Sequence, residues 1–546
     1  MGIEEIFTEK NIEILKLLDK DSYHIREIAE KLGISPATVV KAVKTLEYFD
    51  LVSEESKKNK RVISLKRNAT YEKIMSLLYG QDTHQINIYD AVSPLDFRYY
   101  GRNPIAFSKV QPYLSETALT NYMLKVEVAL TKVLAKRGIC SMQVAKEVEQ
   151  AARKVTAEEV YAEEDRIKHN VRALANCIRD KVSDEAKPFV HFTTTSHDII
   201  NTAESARFKD FTLNALVPSL VDLQKTLINL AMREKKTLQM GRTHGQHAEP
   251  ITFGFAIAMY VDRLGNVIVK IKEAAENLRG KIAGAVGSYN ASSLFFSDAE
   301  EFEKEILKEM GLKPSPISSQ IVEPEYILDL LHQTTAAFGI MANLSDDMRH
   351  LQRSEIGEVG EEFEKLQVGS STMPQKRNPI NFENVKSMWK AIMPMTMTGY
   401  MDQISEHQRD LTNSASSRFI PEMLTSLYVS VLRLNRVMSK LVVDKNNMIR
   451  NFDMNRGMIV AEPLYILLAA HNHPDAHEYV REMTLEAQKT GKPLQELVKV
   501  DEDIQPYLKK FTKQQLDIIN NPENYTGIAE QKVEKICKKW LSAELV

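Results

Sequence analysis

Hydrophobic residues return every three or four positions over long stretches of the chain beyond about residue 81. Alternating steps of four and three average 3.5 residues, a period typical of long helices packed side by side at shallow angles. The clearest series are Leu216, Leu220, Leu223, Leu227 and Leu230; Ile257, Val261, Leu264, Ile268, Ile271, Ala275 and Leu278; and Leu424, Leu427, Val431, Leu434, Met438 and Leu441. Polar loops interrupt these series, so the pattern favours a helix bundle over a coiled-coil rod. We therefore expect a mainly α fold built on a long-helix bundle.

The first 80 residues carry a different pattern. Apolar spacing predicts helices over about 11–19 and 24–32, and a third from Pro36, capped by Ser35, to about Tyr48. After Leu51 the sequence alternates between apolar and polar residues, which predicts a two-stranded wing that includes RVISL at 61–65. This order is typical of a winged helix-turn-helix domain, whose third helix can enter the DNA major groove.

These patterns divide the chain into four predicted domains. They are a winged helix-turn-helix domain at 1–80, an N-terminal helical domain at 81–190, a central long-helix bundle at 191–445 and a C-terminal helical domain at 446–546.

Charge is nearly balanced. The 546 residues carry a formal net charge of −3, so no overall field draws the chain to nucleic acid or to a membrane. Positive charge is concentrated only in the predicted wing, at Lys57, Lys58, Lys60, Arg61, Lys66 and Arg67. A basic wing can neutralise DNA phosphates. Winged helices also serve as protein-contact modules, so both kinds of partner stay open.

Three scattered cysteines, Cys140, Cys177 and Cys537, predict neither a disulfide framework nor a paired-cysteine metal site. No apolar run is long enough for a membrane span, and the N-terminus has no signal-peptide pattern. We expect a soluble, cytoplasmic protein.

The run GSSTMPQKRNP at 369–379 carries candidate chemistry. Its glycine and prolines prevent a continuing helix, so we expect a mobile loop. Ser370 and Ser371 lie close to Lys376 and Arg377 in this run. Cations can push a serine toward alkoxide, and the same cations can hold a substrate carboxylate. The alternative is a solvated surface loop.

Four further polar motifs interrupt the helical pattern: SPLDFRY at 93–99, HFTTTSHD at 191–198, GRTHGQHAEP at 241–250 and RDLTNSASSR at 409–418. The two histidines of the third motif lack a third ligand at suitable spacing, which argues against a metal site. Thr195 and Ser196 lie where a helix should begin, and exposed amides there would seat a carboxylate or phosphate. Arginines with neighbouring hydroxyls suit a phosphomonoester. The residues concerned are Arg98, Tyr99, Arg409, Ser414 and Arg418.

The run at 369–379 resembles the signature of the fumarase/aspartase superfamily. Together, the five motifs are most similar to the adenylosuccinate lyases within it, over about residues 85–546. The resemblance implies β-elimination of fumarate from N6-succinyl-AMP, giving AMP, and from the succinylated aminoimidazole carboxamide ribotide (SAICAR) of purine synthesis, giving AICAR. It implies no metal or organic cofactor. It also implies a homotetramer in which three chains contribute to each site.

The same resemblance assigns residue roles. Ser370 is the expected base, with Ser371 as the alternative, and His244 is the expected general acid. Lys376 and Asn378 are expected to hold the carboxylate on which charge develops. The remaining matches are His169 and His191, which orient the acid or contact phosphate; Glu383, which pairs with a histidine; and Lys168, Thr195, Ser196, Gln320 and Asn384, which contact substrate.

The chain departs from the family pattern at three points. Asn170 stands where aspartate is frequent, His197 stands where serine is usual, and the residues after Gln320 read IVEPEY. Two alternative functions remain open. One is a superfamily lyase or cycloisomerase acting on a substrate without a nucleotide; the other is a DNA-binding regulator with a lyase-like sensor domain.

Overall fold

The computed structural model describes residues 8–18, 21–57, 60–66, 68, 71, 92–363 and 372–543. It divides the chain into two compact units, Met1–Val92 and Ser93–Val546. The predicted boundary at residue 80 falls outside the described residues. In the described part of the chain, no helix is long and apolar enough to cross a membrane.

The N-terminal unit contains the predicted helices and strands. Its elements are α1 (Glu9–Leu18), β1 (Tyr23–His24), α2 (Ile25–Leu32), α3 (Pro36–Tyr48), β2 (Val52–Lys57) and β3 (Lys60–Leu65). The three strands form an antiparallel sheet in the order β1-β3-β2. The Ser35 side chain accepts a hydrogen bond from the Thr38 amide at 3.1 Å, so the predicted N-cap of α3 is confirmed. Its identification as a winged helix-turn-helix domain stays a prediction.

Two basic residues of the wing are paired with acids. Arg61 binds Glu54 on the neighbouring strand through two hydrogen bonds, and Lys66 Nζ donates to Asp50 Oδ1 at 2.6 Å. Strand pairing supplies Glu54, because β2 carries it beside β3, and Asp50 lies just before β2. The positive charge that the sequence places in the wing is therefore partly neutralised within the unit.

The second unit is helical almost throughout. Its helices are α4 (Pro104–Leu114), α5 (Glu116–Lys136), α6 (Met142–Ala152), α7 (Ala157–Ile167), α8 (Asn170–Arg179), α9 (Ser196–Phe211), α10 (Val217–Arg233), α11 (Phe253–Glu276), α12 (Ala299–Glu309), α13 (Glu325–Leu351), α14 (Ile380–Ile392), α15 (Met395–Met401), α16 (Ile420–Ser439), α17 (Lys445–Asp453), α18 (Ala461–Ala470), α19 (Ala476–Thr490), α20 (Leu494–Val500), α21 (Gln505–Leu508), α22 (Lys513–Asn520) and α23 (Ala529–Leu541).

Short strands and turns join these helices. An antiparallel hairpin pairs β4 (Leu238–Thr243) with β5 (Gln246–Thr252). Two-residue strands form the parallel pair β6 (Arg279–Gly280) with β7 (Lys313–Pro314), and the antiparallel pair β8 (Val359–Gly360) with β9 (Val442–Val443). Short 3-10 or π turns occur at Leu95–Gly101, Lys187–Phe189, Thr212–Leu216, Ser292–Leu294, Ser416–Phe419 and Pro522–Asn524.

The predicted long-helix bundle is confirmed. Every residue of the three apolar series is buried, and all of them belong to one hydrophobic cluster that joins α10, α11, α13 and α16. A second cluster lies among α5, α6, α8, α9 and α12, and a third lies among the helices after α17. The long helices form a rigid core, and the polar motifs lie at helix ends and in the connections between helices.

The C-terminal helix α23 packs closely on α11. A Cβ atom added to Gly265 would lie 2.4 Å from the Trp540 ring, which is shorter than any ordinary contact. The Trp540 indole nitrogen also donates to Asp262 Oδ1 at 2.8 Å, which fixes the ring in place. The absence of a side chain at Gly265 therefore allows this helix contact.

We expect Gly265→Ala to lower the free energy of unfolding by about 1–3 kcal/mol, because the added methyl group overpacks a fixed aromatic ring. Thermal unfolding followed by tryptophan fluorescence measures the effect. Gly339→Ala is the matched control: it also lies within a long helix, but its added Cβ would lie 3.8 Å from Trp389. This control should be neutral or slightly stabilising. An unfolding temperature of Gly265→Ala at or above that of the unsubstituted protein contradicts the packing argument.

Candidate active site

His244 lies at the tip of the β4–β5 hairpin. Thr243 pairs with Gln246, so His244 and Gly245 form a two-residue turn. Both have positive φ, 53° and 75°, as a type I′ turn requires. Such a backbone is costly for histidine and natural for asparagine or glycine. The turn leaves the imidazole exposed to solvent.

A buried carboxylate holds the stem of this hairpin. Glu358, which has no exposed surface, accepts hydrogen bonds from Gln239 Nε2 at 2.8 Å and Arg242 Nη2 at 2.6 Å. Asn451 on α17 donates to the same carboxylate at 2.8 Å. The hairpin is therefore fixed to the body of the unit two residues before His244.

The structure describes the predicted loop from residue 372 onward, which includes its cations Lys376 and Arg377. Ser370 and Ser371 lie outside the described residues. Lys376 and Arg377 are exposed, and Asn378 is half-buried. The Arg377 carbonyl accepts from Gln352 Nε2 at 3.3 Å, which ties the loop to the end of α13.

His191 is bound to the buried Glu127 of α5. Its backbone amide donates to one carboxylate oxygen at 2.9 Å, and its Nδ1 lies 2.7 Å from the other. Burial opposes a charge on the ring, but the hydrogen bond and negative charge of Glu127 outweigh it and raise the pKa of His191. The positive φ of 62° at His191 shows that this contact holds the backbone in an unfavourable conformation.

The start of α9 is fixed by a second buried carboxylate. Asp198 accepts from the Thr195 backbone amide at 2.8 Å and forms an ion pair with Lys281, and neither charged side chain is exposed. Asp198 also accepts from the backbone amide of Ala283 at 3.1 Å. Thr195 and Ser196 are thus held at the N-terminus of α9, as the sequence predicts.

His197 lies beside Arg409, with its Nε2 3.4 Å from Arg409 Nη2. Burial, together with the charges of Arg409 and Lys281, lowers the pKa of His197 to about 4. The neutral ring can accept from Arg409, which puts its own proton on Nδ1. That Nδ1, Arg409 Nε and Thr193 Oγ1 are buried and have no partner among the described residues. Buried polar atoms without partners indicate a place where a polar ligand binds.

Gln320, Ser414 and Arg418 lie on segments that meet near Arg409. The Gln320 amide donates to the Gln408 carbonyl at 3.3 Å. Ser414 and Arg418 follow Arg409 in the chain, and both are exposed.

Tyr99 and Asn384 are in direct contact, because Asn384 Nδ2 donates to the Tyr99 hydroxyl at 3.1 Å. Arg98 on the same turn is exposed, and so is Glu383 beside Asn384. Within the described residues, no hydrogen bond or ion pair joins Glu383 to a histidine.

Lys168 and His169 form the sharp turn between α7 and α8. Lys168 ends α7 with a φ of 58°, and His169 Nδ1 accepts from the Arg172 amide as the N-cap of α8. Both side chains are exposed.

The predicted residues fall into separate groups within one chain. His197 contacts Arg409, and Gln320 contacts the neighbouring Gln408. The His244 hairpin and the Lys376 loop are both tied to residues 352–361, and Tyr99 contacts Asn384. Across the described ranges, no hydrogen bond or ion pair links His244 to another side chain. Where the chain is described, no group of three or more acidic, histidine or cysteine side chains could hold a metal ion.

Sequence reasoning missed Glu127, Glu358 and Lys281. The sequence does contain a signal for Glu127. It lies between Val126 and Ala129 on the apolar face of α5, where a charge needs a partner. Glu358 lies in a segment rich in acids and has no such pattern around it.

Comparison with known proteins covers most of the second unit. Two family models match, one described as "Lyase" over residues 103–393 and one described as "Adenylosuccinate lyase C-terminal" over residues 405–526. The adenylosuccinate lyase of Archaeoglobus fulgidus is 33% identical over 458 residues, which is 83% of this chain and 99% of the relative. That of Methanocaldococcus jannaschii is 33% identical over 82% of this chain and 96% of its own length.

Solved structures share the fold. A fumarate lyase from Mesorhizobium sp. BNC1 superposes with a TM-score of 0.70 at 22% identity, covering 79% of this chain and 97% of the other. A 3-carboxy-cis,cis-muconate lactonizing enzyme from Pseudomonas putida gives a TM-score of 0.69 at 21% identity, covering 79% and 96%.

The long-helix fold, the matched models and the 33% identity to these two relatives over 82–83% of this chain together establish that this chain belongs to the adenylosuccinate lyase family.

Proposed function

We propose that the chain eliminates fumarate from N6-succinyl-AMP, giving AMP, and from SAICAR, giving AICAR. One observation supports the proposal independently of family membership. Arg409, His197 and Thr193 leave buried polar atoms without partners beside the N-terminus of α9. The N–H groups of Arg409 and His197, and the amides of the helix, need hydrogen-bond acceptors. A substrate that carries phosphate and carboxylate groups supplies them.

The elimination requires a base, an acid and a cationic clamp. The base removes a proton from the carbon beside a carboxylate, so two negative charges develop on that carboxylate. The C–N bond then breaks, the electron pair leaves with the nitrogen, and the acid protonates that nitrogen as fumarate forms. We assign Ser370 as the base, His244 as the acid, and Lys376 with Asn378 as the clamp.

The other predicted residues bind the substrate. We assign Arg98, Tyr99, Lys168, Arg409, Ser414 and Arg418 to the nucleotide, and Thr195, Ser196, Gln320 and Asn384 to the succinyl group and its surroundings. His191 and His169 orient the acid or contact phosphate, and Glu383 pairs with a histidine. These assignments need neither a metal nor an organic cofactor.

We further propose a homotetramer in the cytoplasm, with sites shared between chains. The support is that, among the described residues of one chain, no hydrogen bond or ion pair joins the His244 hairpin to the 191–198 segment. Neighbouring chains would bring those groups together.

We expect His244→Asn to reduce kcat by about 10²–10⁴-fold, the contribution of a general acid, and to leave the fold intact. Asparagine suits the positive φ of this turn, so it is a better replacement than alanine. Fumarate release, followed by ultraviolet absorbance, measures the loss. His477→Asn, at an exposed position on α19, is the control and should keep full activity. Turnover of His244→Asn at the unsubstituted rate removes the assignment.

We expect Glu127→Gln to weaken substrate binding in a pH-dependent way. With Glu127 present, the raised pKa of His191 keeps the imidazolium available to an anionic substrate, and this charge is lost as pH rises through that pKa. Without the carboxylate, burial lowers the pKa of His191. KM at pH 7 should then rise about tenfold for each unit by which this pKa falls below the pH of the assay. KM should approach the unsubstituted value as pH falls through the lowered pKa of His191 in the variant.

KM and kcat measured between pH 5 and 8.5 test this expectation. Asp210→Asn is the matched control, since Asp210 also accepts a hydrogen bond from an aromatic side chain, the hydroxyl of the buried Tyr122. A KM of Glu127→Gln that exceeds the unsubstituted value equally at every pH would show that charge on His191 is not involved.

A second proposal concerns the N-terminal unit, which we assign as a winged helix-turn-helix domain that binds DNA. The supporting observation is the exposed face of α3, which presents Lys41, Lys44 and a 63% exposed Tyr48. Cations beside an aromatic ring suit a phosphate backbone. The alternative partner is a protein.

We expect the double variant Lys41→Glu, Lys44→Glu to lose binding to duplex DNA and to keep lyase activity. Fluorescence anisotropy of the full chain with random-sequence duplex, at rising salt, measures affinity and its salt dependence. Lys313→Glu in the second unit is the control. If the unsubstituted chain shows no salt-dependent binding, the unit is a protein-contact module.

A further inference from the structure

Glu358 satisfies three donors from two separate elements. Gln239 and Arg242 belong to β4, and Asn451 belongs to α17, and all three donate at 2.6–2.8 Å. The carboxylate is fully buried. Charge-assisted hydrogen bonds in a buried setting are strong and directional, so Glu358 fixes the orientation of β4 relative to α17.

The contact matters for His244 because it holds the hairpin stem two residues before the turn. Arg242 lies on β4, two residues before His244, and is directly opposite His247 on β5. The His244 ring itself is exposed and, within the described ranges, makes no hydrogen bond. Its position therefore follows from that of the hairpin stem.

The segment that carries Glu358 also holds the cationic loop. Gln352 donates to the Arg377 carbonyl at 3.3 Å and accepts from the Glu361 amide at 3.2 Å. Glu361 accepts from the Asn381 backbone at 2.8 Å and from its side chain at 2.6 Å. Residues 352–361 thus bind the hairpin through Glu358. They also bind the chain before Asn378 through Gln352 and the chain after it through Glu361.

We propose that Glu358 is a positioning residue for the elimination: it sets the placement of the His244 hairpin relative to α17 and residues 352–361. The proposal rests on the proposed function. Glu358 contacts no reacting atom and acts through the hairpin stem.

The test is Glu358→Gln in the full-length protein. The glutamine keeps one acceptor oxygen for Arg242 and Asn451, sets an NH2 group against Gln239 Nε2 and removes the negative charge that pairs with Arg242, so the stem should shift. A displacement of about 1 Å at a reacting group costs on the order of 100-fold, so kcat should fall by about that factor. KM should stay within about threefold, because the residues assigned to the nucleotide are untouched.

A double-mutant cycle separates positioning from a general loss of structure. If Glu358 acts through His244, Glu358→Gln should cost about 100-fold alone and less than about threefold in the His244→Asn background. Equal losses in both backgrounds overturn the proposal. An inactive unsubstituted protein contradicts the proposed function instead, so the two failures are distinguishable.

Glu234→Gln is the matched control. Glu234 is 3% exposed and accepts from Arg233 Nε at 2.7 Å and from the Thr237 hydroxyl at 2.6 Å, at the foot of the same hairpin. It should lower the unfolding temperature and leave kcat within about threefold. A loss of kcat in this control equal to that of Glu358→Gln contradicts a specific role for Glu358.

Gln239→Met is the second variant in case Glu358→Gln does not fold. Methionine keeps the volume of this buried side chain and removes one donor to Glu358. We expect kcat to fall by about tenfold. As for Glu358→Gln, this loss should largely disappear in the His244→Asn background. An unchanged kcat in Gln239→Met overturns the proposal.

Discussion

A carboxylate buried inside a helix bundle has to be met by donors, and this requirement organises the candidate site. Glu127, Asp198 and Glu358 have no exposed surface, and Glu361 has very little. Each accepts hydrogen bonds from a segment that carries predicted site residues. The carboxylates therefore act as anchors that attach connecting segments, which would otherwise be free to move, to the rigid core of long helices.

The anchors explain why strained backbone is found at these positions. Lys168, His191, Thr193 and His244 all have positive φ, although none is glycine. Such conformations persist only where surrounding contacts fix them, and they occur preferentially at binding and catalytic sites. His191 shows the connection directly, since its amide and ring are both bound to Glu127.

Much of the fold follows from local sequence, and less of the site does. The apolar series of α10, α11 and α16 have a period that only packed helices satisfy, and Ser35 before Pro36 marks a helix start. The placement of Thr195 and Ser196 at the start of α9 follows in the same way. Glu358 could not be predicted, because its donors are separated from it by more than ninety residues along the chain. Nor could the pairing of His197 with Arg409, which depends on how two distant loops meet.

The packing of α23 on α11 affects the order in which the protein can fold. Val533, Cys537 and Trp540 belong to the same hydrophobic cluster as α10 and α11, and the contacts of Cys537 and Trp540 reach residues 309 and 278 positions earlier in the chain. During synthesis the ribosome exposes those earlier helices long before their final partner exists. The nascent bundle therefore carries an open apolar groove until α23 has been synthesised, and closing it depends on contacts of very high sequence separation, which form slowly. Chaperones that shield apolar surface would have their longest opportunity to act on this protein at that groove.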